Sequence, residues 1–589
     1  MEYLAQSLCT IITHAKDSTS HLPVVVHTNG QGRLETLGQE PSVRADGVPA
    51  MSRFLQTAKA HATEETRPST DVPTPAQATQ ATQARDWSTQ QTTIFDWFEA
   101  GPGSGNLIVA AYAGTGKTTT ILEGVNRAPE ARVLLAAFNK RIADELKGRL
   151  TNPHAEARTL HAVGFSIIRA ISPQSKIPQG RNTRDIDLAK AGARAVQRTH
   201  GRRTEEPPWN VLTGIARLHT TAREVLSCAR GPQDLVALAE QFHCEPDQYW
   251  VLQGWDLEFY CEAAYAAMEL AAEHYETIDF ADMIYLPLRN NWAAPQYDLV
   301  VVDEAQDMTL SQLELARKVL EPDGRMCVVG DRHQAIYGFR GADSGSLDRL
   351  KTELQASELP LSVTYRCGTG IVEAARAFVP DFEAGPDTGT GIVRTESQQS
   401  FLLQVERGDF ILSRVNAPLA YYCLALIRNG IPAEIAGKDI SEQLKGTVAK
   451  VSAKNPDLSV LDFSARLESW RVKEKARLVA LKFETRAEAL DDQVETISIL
   501  CEGSTTVAGL IQKLDRLFTD EGMNANRVLC SSVHKAKGLE SNRVWILDWT
   551  LVRQQRHPRQ DMREERNIEY VGITRARKEL VYVHKGEER

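Results

Sequence analysis

Residues 107–118 (LIVAAYAGTGKT) decide the fold class, because they join an apolar strand to a glycine-containing turn and the start of a helix. A phosphate-binding loop requires this order of elements. Gly114 and Gly116 let backbone N–H groups approach phosphates closely, and a helix N-terminus favours anions. Lys117 is predicted to reach the β- and γ-phosphates, and Thr118 to bind Mg²⁺.

A second stretch, residues 297–307 (YDLVVVDEAQD), is strand-like and ends in carboxylates. The carboxyl ends of strands are where α/β sheets place ligand chemistry. Asp303 is predicted to bind Mg²⁺, and Glu304 to orient and deprotonate the attacking water. Taken alone, each segment has a simpler interpretation. Residues 297–307 could end in a solvated acidic turn. Residues 107–118 could be a chance glycine-rich turn, since Ala111 replaces a glycine of the general pattern. Together they predict hydrolysis of a nucleoside triphosphate.

From about Trp87 onward, short apolar runs alternate with helix-like stretches, which indicates parallel α/β sheets. Two stretches, roughly 166–275 and 440–525, are mostly helical in pattern and interrupt this alternation. Residues 1–85 are rich in Thr, Pro, Gln and Ser and end in a tract typical of a flexible linker.

The composition excludes several protein classes. The sequence contains no run of about 18 apolar residues, so it predicts no membrane-spanning helix. Nine cysteines without a C-x-x-C pair indicate reduced thiols, and therefore a cytoplasmic protein, nucleoid-associated if the source is bacterial. The net charge of −9 does not favour nucleic-acid binding, but from Arg527 onward 14 Lys and Arg face 9 Asp and Glu, so this stretch is locally basic.

Further segments follow in an order that resembles the UvrD/Rep-type superfamily 1 helicases over about residues 87–589, apart from the two helical stretches. The phrase AYAGTGKTTT is also similar to F-box DNA helicases and phage members. The segments that carry the resemblance, besides the two described above, are 87–91 (WSTQQ), 138–140 (FNK), 159–161 (TLH), 279–282 (DFAD), 330–342 (GDRHQAIYGFRGA), 365–366 (YR), 532–540 (SVHKAKGLE) and 565–577 (ERNIEYVGITRAR).

The resemblance implies an ATP and Mg²⁺ site between two domains. Tyr365 would stack on the adenine, Gln91 (with Gln90 as the fallback) would recognise it, and Glu540 would contact the ribose. The implied catalytic residues are Lys117, Asp303, Glu304, Gln334, Arg366 and Arg575. The implied nucleotide-binding residues are Gln91, Ala113, Gly114, Thr115, Gly116, Lys117, Thr118, Thr119, Tyr365 and Glu540, with Thr118 and Asp303 as the Mg²⁺ ligands.

The resemblance also implies contacts with single-stranded DNA. The implied DNA-binding residues are Phe138, Asn139, Thr159, His161, Tyr337, Phe339, Arg340 and His534. Aromatic platforms stabilise each stacked base by about 1–3 kcal/mol without sequence preference. Two positions depart from the family pattern: Thr364 stands where asparagine is usual, and Phe339 where tryptophan is frequent.

The expected fold is α/β, with two RecA-like P-loop domains and mostly helical insertions. The expected division is a disordered or variable head and linker (1–85), a first RecA-like domain (86–165 and 276–355) with a helical insertion (166–275), and a second RecA-like domain (356–440 and 526–589) with a reduced insertion (441–525).

The expected activity is ATP-driven 3′→5′ movement on single-stranded DNA with unwinding of duplex junctions. One alternative is a translocase that strips bound recombination or repair proteins from single strands. Another is a nucleotide-gated DNA-binding switch. The sequence leaves the pathway and the oligomeric state open.

Overall fold

A computed structural model describes residues 86–178, 183–200, 205–225, 229–242, 244–246, 248–336, 346–480, 484–555 and 561–585. The head and linker expected over residues 1–85 lie outside the described residues.

The first part of the described chain alternates helices with strands. Its elements are α1 (Thr89–Ala100), β1 (Leu107–Ala111), α2 (Lys117–Arg127), β2 (Val133–Ala137), α3 (Lys140–Arg149), β3 (Ala155–Thr159) and α4 (Leu160–Ile171). Every residue of β2 (VLLAA) is buried, as expected for a central strand of a parallel sheet that is covered on both faces.

Five helices then pack around an apolar core that also includes Ile168 of α4 and residues 278–286, and we call them the first helical block. They are α5 (Arg184–Thr199), α6 (Trp209–Val225), α7 (Asp234–Gln241), α8 (Gln248–Leu252) and α9 (Leu257–Glu273). The chain then returns to the first sheet through α10 (Phe280–Arg289), β4 (Tyr297–Val302), α11 (Leu310–Lys318), β5 (Leu320–Gly330), α12 (Ser346–Glu353) and β6 (Ser357–Leu361).

The first sheet is parallel throughout, in the order β3-β2-β4-β5-β1-β6, and with its helices it forms the first lobe. Its last strand corrects the domain boundary expected after residue 355, because β6 pairs with β1 and not with the second sheet. The sequence SELPL gave no strand signal, since it lacks a continuous apolar run. Pro360 cannot donate to a ladder, and accordingly its strand lies at an edge.

The rest of the chain forms the second lobe. Its first elements are β7 (Val363–Thr364), α13 (Thr369–Ala375), β8 (Glu383–Ala384), β9 (Ile392–Ser397), α14 (Gln398–Gln404), β10 (Phe410–Ser413), α15 (Ala417–Arg428) and β11 (Ala433–Ala436). The second helical block follows with α16 (Lys438–Val451), α17 (Val460–Ala480), α18 (Glu484–Cys501) and α19 (Val507–Leu517). The last elements are β12 (Phe518–Thr519), β13 (Val528–Ser532), β14 (Ser541–Leu547), α20 (Met562–Ile573) and β15 (Ala576–His584).

The second sheet is also parallel, in the order β12-β11-β13-β10-β14-β15-β9. The predicted α/β class, with parallel sheets and two mostly helical blocks, is confirmed. One apolar core of the second lobe includes Ala113 and Ile336, which belong to the first lobe. The two lobes are therefore packed directly against each other. Among the described helices, none combines the length and the apolar character needed to cross a membrane.

Candidate nucleotide cleft and nucleic-acid edge

The phosphate loop lies at the carboxyl end of β1, against the segment that leads into the second lobe. Gly114 has a φ of +72°, and a Cβ added there would lie 2.6 Å from both Arg366 Cβ and Thr364 Oγ1. Its carbonyl oxygen accepts a hydrogen bond of 2.9 Å from the backbone N–H of Tyr365. Glycine is required here both by the left-handed backbone and by the close approach of that segment. The loop and the predicted adenine-side residues are thus in direct contact.

Three neighbouring strands deliver the predicted phosphate chemistry to one edge of the first sheet. In the order β4-β5-β1, the outer strands end at Asp303 and at the phosphate loop. Asp303 is 2% exposed, and its Oδ2 lies 3.5 Å from Thr118 Oγ1. Carboxylate and hydroxyl oxygens are the hard ligands that Mg²⁺ prefers, usually together with phosphate oxygens. Thr118 and Asp303 therefore fit the Mg²⁺ site expected from the sequence.

The pKa values of the two adjacent carboxylates at this edge, Asp303 and Glu304, are shifted in opposite directions. Burial, and next the charge of Glu304, raise the pKa of Asp303. Burial acts in the same direction on Glu304, but Lys117 and Lys537 outweigh it and hold the pKa of Glu304 well below its usual range. Glu304 also has a φ of 53°, a left-handed conformation that is uncommon outside glycine and is often found at functional sites. The cationic surroundings keep Glu304 ionised, as a proton acceptor must be.

A hydrogen-bonded path joins Glu304 to Gln334. The Gln306 amide donates to Glu304 Oε2 at 2.6 Å, and its carbonyl oxygen accepts from the Asp331 backbone N–H at 3.0 Å. The side chain of Asp331 in turn accepts from Gln334 Nε2 at 2.6 Å. Gln306 had no role in the sequence analysis, although it stands inside the acidic segment. Only the three-dimensional structure places it between the two predicted catalytic side chains.

Lys537 crosses from the second lobe to the first. Its ammonium group lies 2.6 Å from Asp307 Oδ2 and donates to the carbonyl oxygen of Gln334 at 2.7 Å. The side chains of Lys537 and Asp307 are 10% and 3% exposed, so this ion pair is shielded from water. The sequence assigned Lys537 no role beyond membership of the 532–540 segment, because nothing in that segment identifies Asp307, 230 positions away, as its partner.

The adenine side of the cleft distinguishes Gln91 from Gln90. Gln91 is buried, its Nε2 donates to Thr120 Oγ1 at 2.9 Å, and its Oε1 accepts from the Tyr365 hydroxyl at 3.4 Å. The side-chain amide of Gln90 instead binds Ser362: its Nε2 donates to Ser362 Oγ, and its Oε1 accepts from the Ser362 backbone N–H, both at 2.9 Å. Tyr365 is 46% exposed, so that a ring face remains open to solvent. The geometry brings Gln91, and not its neighbour, to the predicted stacking tyrosine.

The predicted arginines lie together on the second lobe. Arg366 forms an ion pair with Glu540, and Arg577 binds the same carboxylate. Arg575 is 1% exposed, and its guanidinium donates to the carbonyl oxygens of Val571 at 3.0 Å and Leu539 at 3.2 Å. Burial, and next the charge of Arg366, lower the pKa of Arg575 to about 10, which still leaves it protonated at neutral pH.

Two of the predicted DNA-binding residues begin helices at the carboxyl ends of strands. Asn139 caps α3 by accepting from Ile142 N at 3.0 Å, and Thr159 caps α4 by accepting from Ala162 N at 3.1 Å. Two helix N-termini therefore face the same edge of the sheet, where their dipoles favour phosphate groups. Phe138 precedes the first of these caps and is partly buried.

An aromatic residue that the sequence analysis missed pairs with the predicted His161 beside these helix ends. Phe280, the first residue of α10, is 66% exposed, and its ring centroid lies 6.3 Å from that of His161. Burial lowers the pKa of His161, which favours the neutral form of its ring. An exposed phenylalanine is unusual enough to stand out, but exposure is a tertiary property. In sequence, Phe280 was only part of the DFAD segment.

Four other predicted residues complete the DNA set. His534 is partly exposed on the second lobe, directly after β13. Tyr337, Phe339 and Arg340 lie outside the described residues, and their predicted contacts with bases stay predictions.

Two family models match this chain. Residues 96–355 match the UvrD/REP helicase N-terminal domain, and residues 469–585 match the UvrD-like helicase C-terminal domain. The first match spans the phosphate loop, both carboxylates and the DNA edge of the first lobe. The second spans Lys537, Glu540 and Arg575 of the second lobe.

Several curated proteins show the same likeness at low identity. The chain is 22% identical over 533 residues to F-box DNA helicase protein 1 of Schizosaccharomyces pombe, covering 81% of this chain and 55% of that protein. It is 25% identical over 561 residues to the ATP-dependent DNA helicase UvrD2 of Mycobacterium tuberculosis, covering 81% of this chain and 76% of that protein. Over 297 residues it is 23% identical to DNA helicase II of Escherichia coli, covering 46% of this chain and 38% of that protein.

Proposed function

The chain belongs to the UvrD-like family of superfamily 1 helicases, which are ATP-driven DNA helicases, and from that premise we propose that it moves 3′→5′ along single-stranded DNA and separates duplex strands. The observation that carries the proposal is the direct contact between the phosphate loop and the arginine-bearing lobe. Because Gly114 accepts from Tyr365 and packs against Arg366, a nucleotide bound at the loop must respond to the position of the second lobe.

In the proposed reaction, the first lobe binds the phosphates and activates water. Lys117 and the loop amides hold the β- and γ-phosphates, and Thr118 with Asp303 binds Mg²⁺, which neutralises charge on the phosphate oxygens. Glu304, kept ionised by its cationic neighbours, orients the attacking water and accepts its proton. Gln334 is the proposed sensor of the γ-phosphate, which the path through Gln306 and Asp331 supports.

The second lobe contributes positive charge. Arg366 and Arg575 are proposed to stabilise the charge that develops on the transferred phosphoryl group, and both lie on the side of the cleft that moves with the second sheet. Tyr365 and Gln91 are proposed to bind the adenine, and Glu540 the ribose. Hydrolysis would then change how firmly the two lobes are held together.

Single-stranded DNA is proposed to lie across the edge formed by the N-termini of α3 and α4. The capped helix ends would bind phosphates, and the rings of His161 and Phe280 would stack with bases. Such contacts accept any base, which suits a motor that must pass over every sequence. The family provides the 3′→5′ direction. The seven described cysteines are all buried free thiols, which supports a reducing cytoplasm, or a bacterial nucleoid, as the place of action.

The first test is ATPase activity with and without single-stranded oligonucleotide. We expect strong stimulation, and a loss of at least about a thousandfold in Lys117→Ala, because oriented positive charge on the phosphates supplies much of this catalysis. Lys473→Ala is the matched control, since Lys473 is exposed on α17 far from the loop in sequence. An ATPase rate that does not respond to the oligonucleotide contradicts the proposal.

The second test measures displacement of a labelled strand from duplexes that carry a 3′ tail, a 5′ tail or no tail. Displacement from the 3′-tailed substrate alone is the expected result. Removal of streptavidin from a tail without strand displacement indicates a stripping translocase instead. Nucleotide-dependent DNA affinity without turnover indicates a binding switch.

A further inference from the structure

Four aromatic rings form a closed cluster where the two lobes meet behind the phosphate loop. Tyr112 and His333 belong to the first lobe, and Phe382 and Tyr570 to the second. The ring centroids are 6.0 Å apart for Tyr112–His333 and Tyr112–Phe382, 5.8 Å for His333–Tyr570 and 6.2 Å for Phe382–Tyr570. All four contacts are edge-to-face, the geometry that aromatic pairs prefer. Two of them cross the lobe boundary, and we call the four residues the joint cluster.

Hydrogen bonds tie the phosphate loop to the second lobe at the same place. The Tyr112 hydroxyl donates to the carboxylate of Asp381, at 2.9 Å from Oδ1 and 3.0 Å from Oδ2. The backbone N–H of the next residue, Ala113, donates to the hydroxyl of the buried Tyr570 at 3.1 Å. Ala113 itself is fully buried in the core of the second lobe. A hydrogen bond to a carboxylate is stronger than one between neutral groups.

Three residues of the joint cluster lie in segments with predicted roles in ATP hydrolysis. Tyr112 stands in the loop that leads to Lys117, and its carbonyl oxygen accepts from Thr115 Oγ1 at 3.0 Å. His333 immediately precedes Gln334 in the chain. Tyr570 lies on α20, the helix that leads to Arg575. A displacement of the second lobe therefore acts on the phosphate loop through side chains that are assigned no contact with the nucleotide.

We propose that Tyr112, through its hydrogen bond to Asp381, is a positioning residue that transmits movements of the second lobe to the phosphate loop and so sets how strongly DNA stimulates ATP hydrolysis. This inference rests on the proposed motor function. The bond from Tyr112 joins two side chains, so it can be removed from either side, and on the Tyr112 side by deleting a single oxygen atom. The ring remains in Tyr112→Phe, so the packing of the cluster is retained.

The experiment compares the ATPase rate with saturating oligo-dT to the rate without DNA, together with the KM for ATP and the melting temperature. We expect Tyr112→Phe and Asp381→Ala each to lower the stimulated kcat about tenfold, within the range of 5- to 150-fold typical of coupling between sites. The basal rate and the melting temperature of Asp381→Ala should match the wild type. The double variant should be no worse than either single variant, because both remove the same contact.

Two further variants separate positioning from general structure. Asp381→Asn keeps an oxygen that can accept from the Tyr112 hydroxyl, and it should retain most of the stimulation. Tyr421→Phe is the matched control, because Tyr421 is 53% exposed on α15 and away from the joint cluster. It should behave as wild type.

Three results overturn the inference: unchanged stimulation in Tyr112→Phe, additive losses in the double variant, or a loss of basal and stimulated rates together with a lower melting temperature. If the wild-type enzyme itself is not stimulated by DNA, the proposed function fails first. A failure of the inference alone appears as one of these three results while the wild type is still stimulated by DNA, so the two failures are distinguishable.

Discussion

The two helical blocks are attached to their lobes by carboxylates at helix N-termini, but only the first block seals its charges away from water. The guanidinium of Arg223, in the first block, is fully buried and donates to Asp279 at 2.8 and 3.0 Å and to Asp282 at 2.5 Å. In the second block, Asp492 accepts from the backbone N–H groups of Asn416 at 2.9 Å and Ala417 at 2.8 Å and remains partly exposed. The first attachment is costly to break, and the second is not.

The two attachments also differ in how close they lie to the proposed DNA edge. Asp279 and Asp282 form the capping box of α10, whose first residue is the exposed Phe280 beside His161. The buried charges of the first block thus lie directly beneath the proposed DNA edge. Asp492 instead caps α15, which carries none of the predicted site residues. The first block is therefore part of the scaffold of the site, whereas the second block is attached to a helix that carries no predicted site residue.

The largest effect is expected for Arg223→Ala. It leaves Asp279 buried without its cation and Asp282 with Arg184 alone, and removing one partner of a buried ion pair typically costs about 3–5 kcal/mol. We expect a loss of that size in urea unfolding followed by circular dichroism, together with weaker binding of oligo-dT because α10 loses its anchor. A loss below about 1 kcal/mol would contradict the buried-network interpretation.

The second prediction concerns acid. His219 is fully buried, its Nε2 donates to the Asp185 carbonyl at 2.8 Å, and burial, then Arg223, lower its pKa from 6.5 to about 3. Below pH 6.5 the unfolded chain takes up a proton that the folded chain refuses, so stability falls as the pH is lowered. Between pH 7 and pH 5 this amounts to about 2 kcal/mol.

Melting curves across this pH range test the effect of His219. His219→Gln can still donate to the Asp185 carbonyl but cannot titrate, so its stability should fall less steeply with acid than that of the wild type. Parallel curves for the two proteins would show that His219 is not the responsible group.

The smallest effect is expected in the second block. Asp492→Ala removes a cap from α15, which typically costs about 1 kcal/mol. Its control is Arg471→Ala, because Arg471 pairs with Glu468 and Asp491 at the surface, and pairs of that kind contribute little. We expect a lower unfolding midpoint for the first variant, no resolvable change for the second, and unchanged DNA-stimulated ATPase for both. An effect of Asp492→Ala as large as that of Arg223→Ala would remove the contrast between the blocks.

Local sequence was sufficient where a motif encodes its own backbone. The strands before the phosphate loop and before Asp303 were recognised because buried parallel strands are continuous apolar runs. Gly114 was recognised from the phosphate-loop pattern, and its left-handed backbone agrees with the need for glycine there. Local sequence was insufficient at β6, where an edge strand containing Pro360 carries no such run. It chose Gln91 only through the family resemblance and kept Gln90 as a fallback, since adjacent glutamines differ only in what they contact after folding.

The sequence by itself determined the α/β class, the order of the segments and the residue types that bind phosphate, because these depend on neighbours along the chain. Only the tertiary structure decided that Lys537 pairs with Asp307, that Gln306 joins Glu304 to Asp331, and that Tyr112 reaches Asp381. The physical reason is that each of these contacts depends on how separately folded segments pack. Their energy is specific to a distance and an angle that no local pattern encodes.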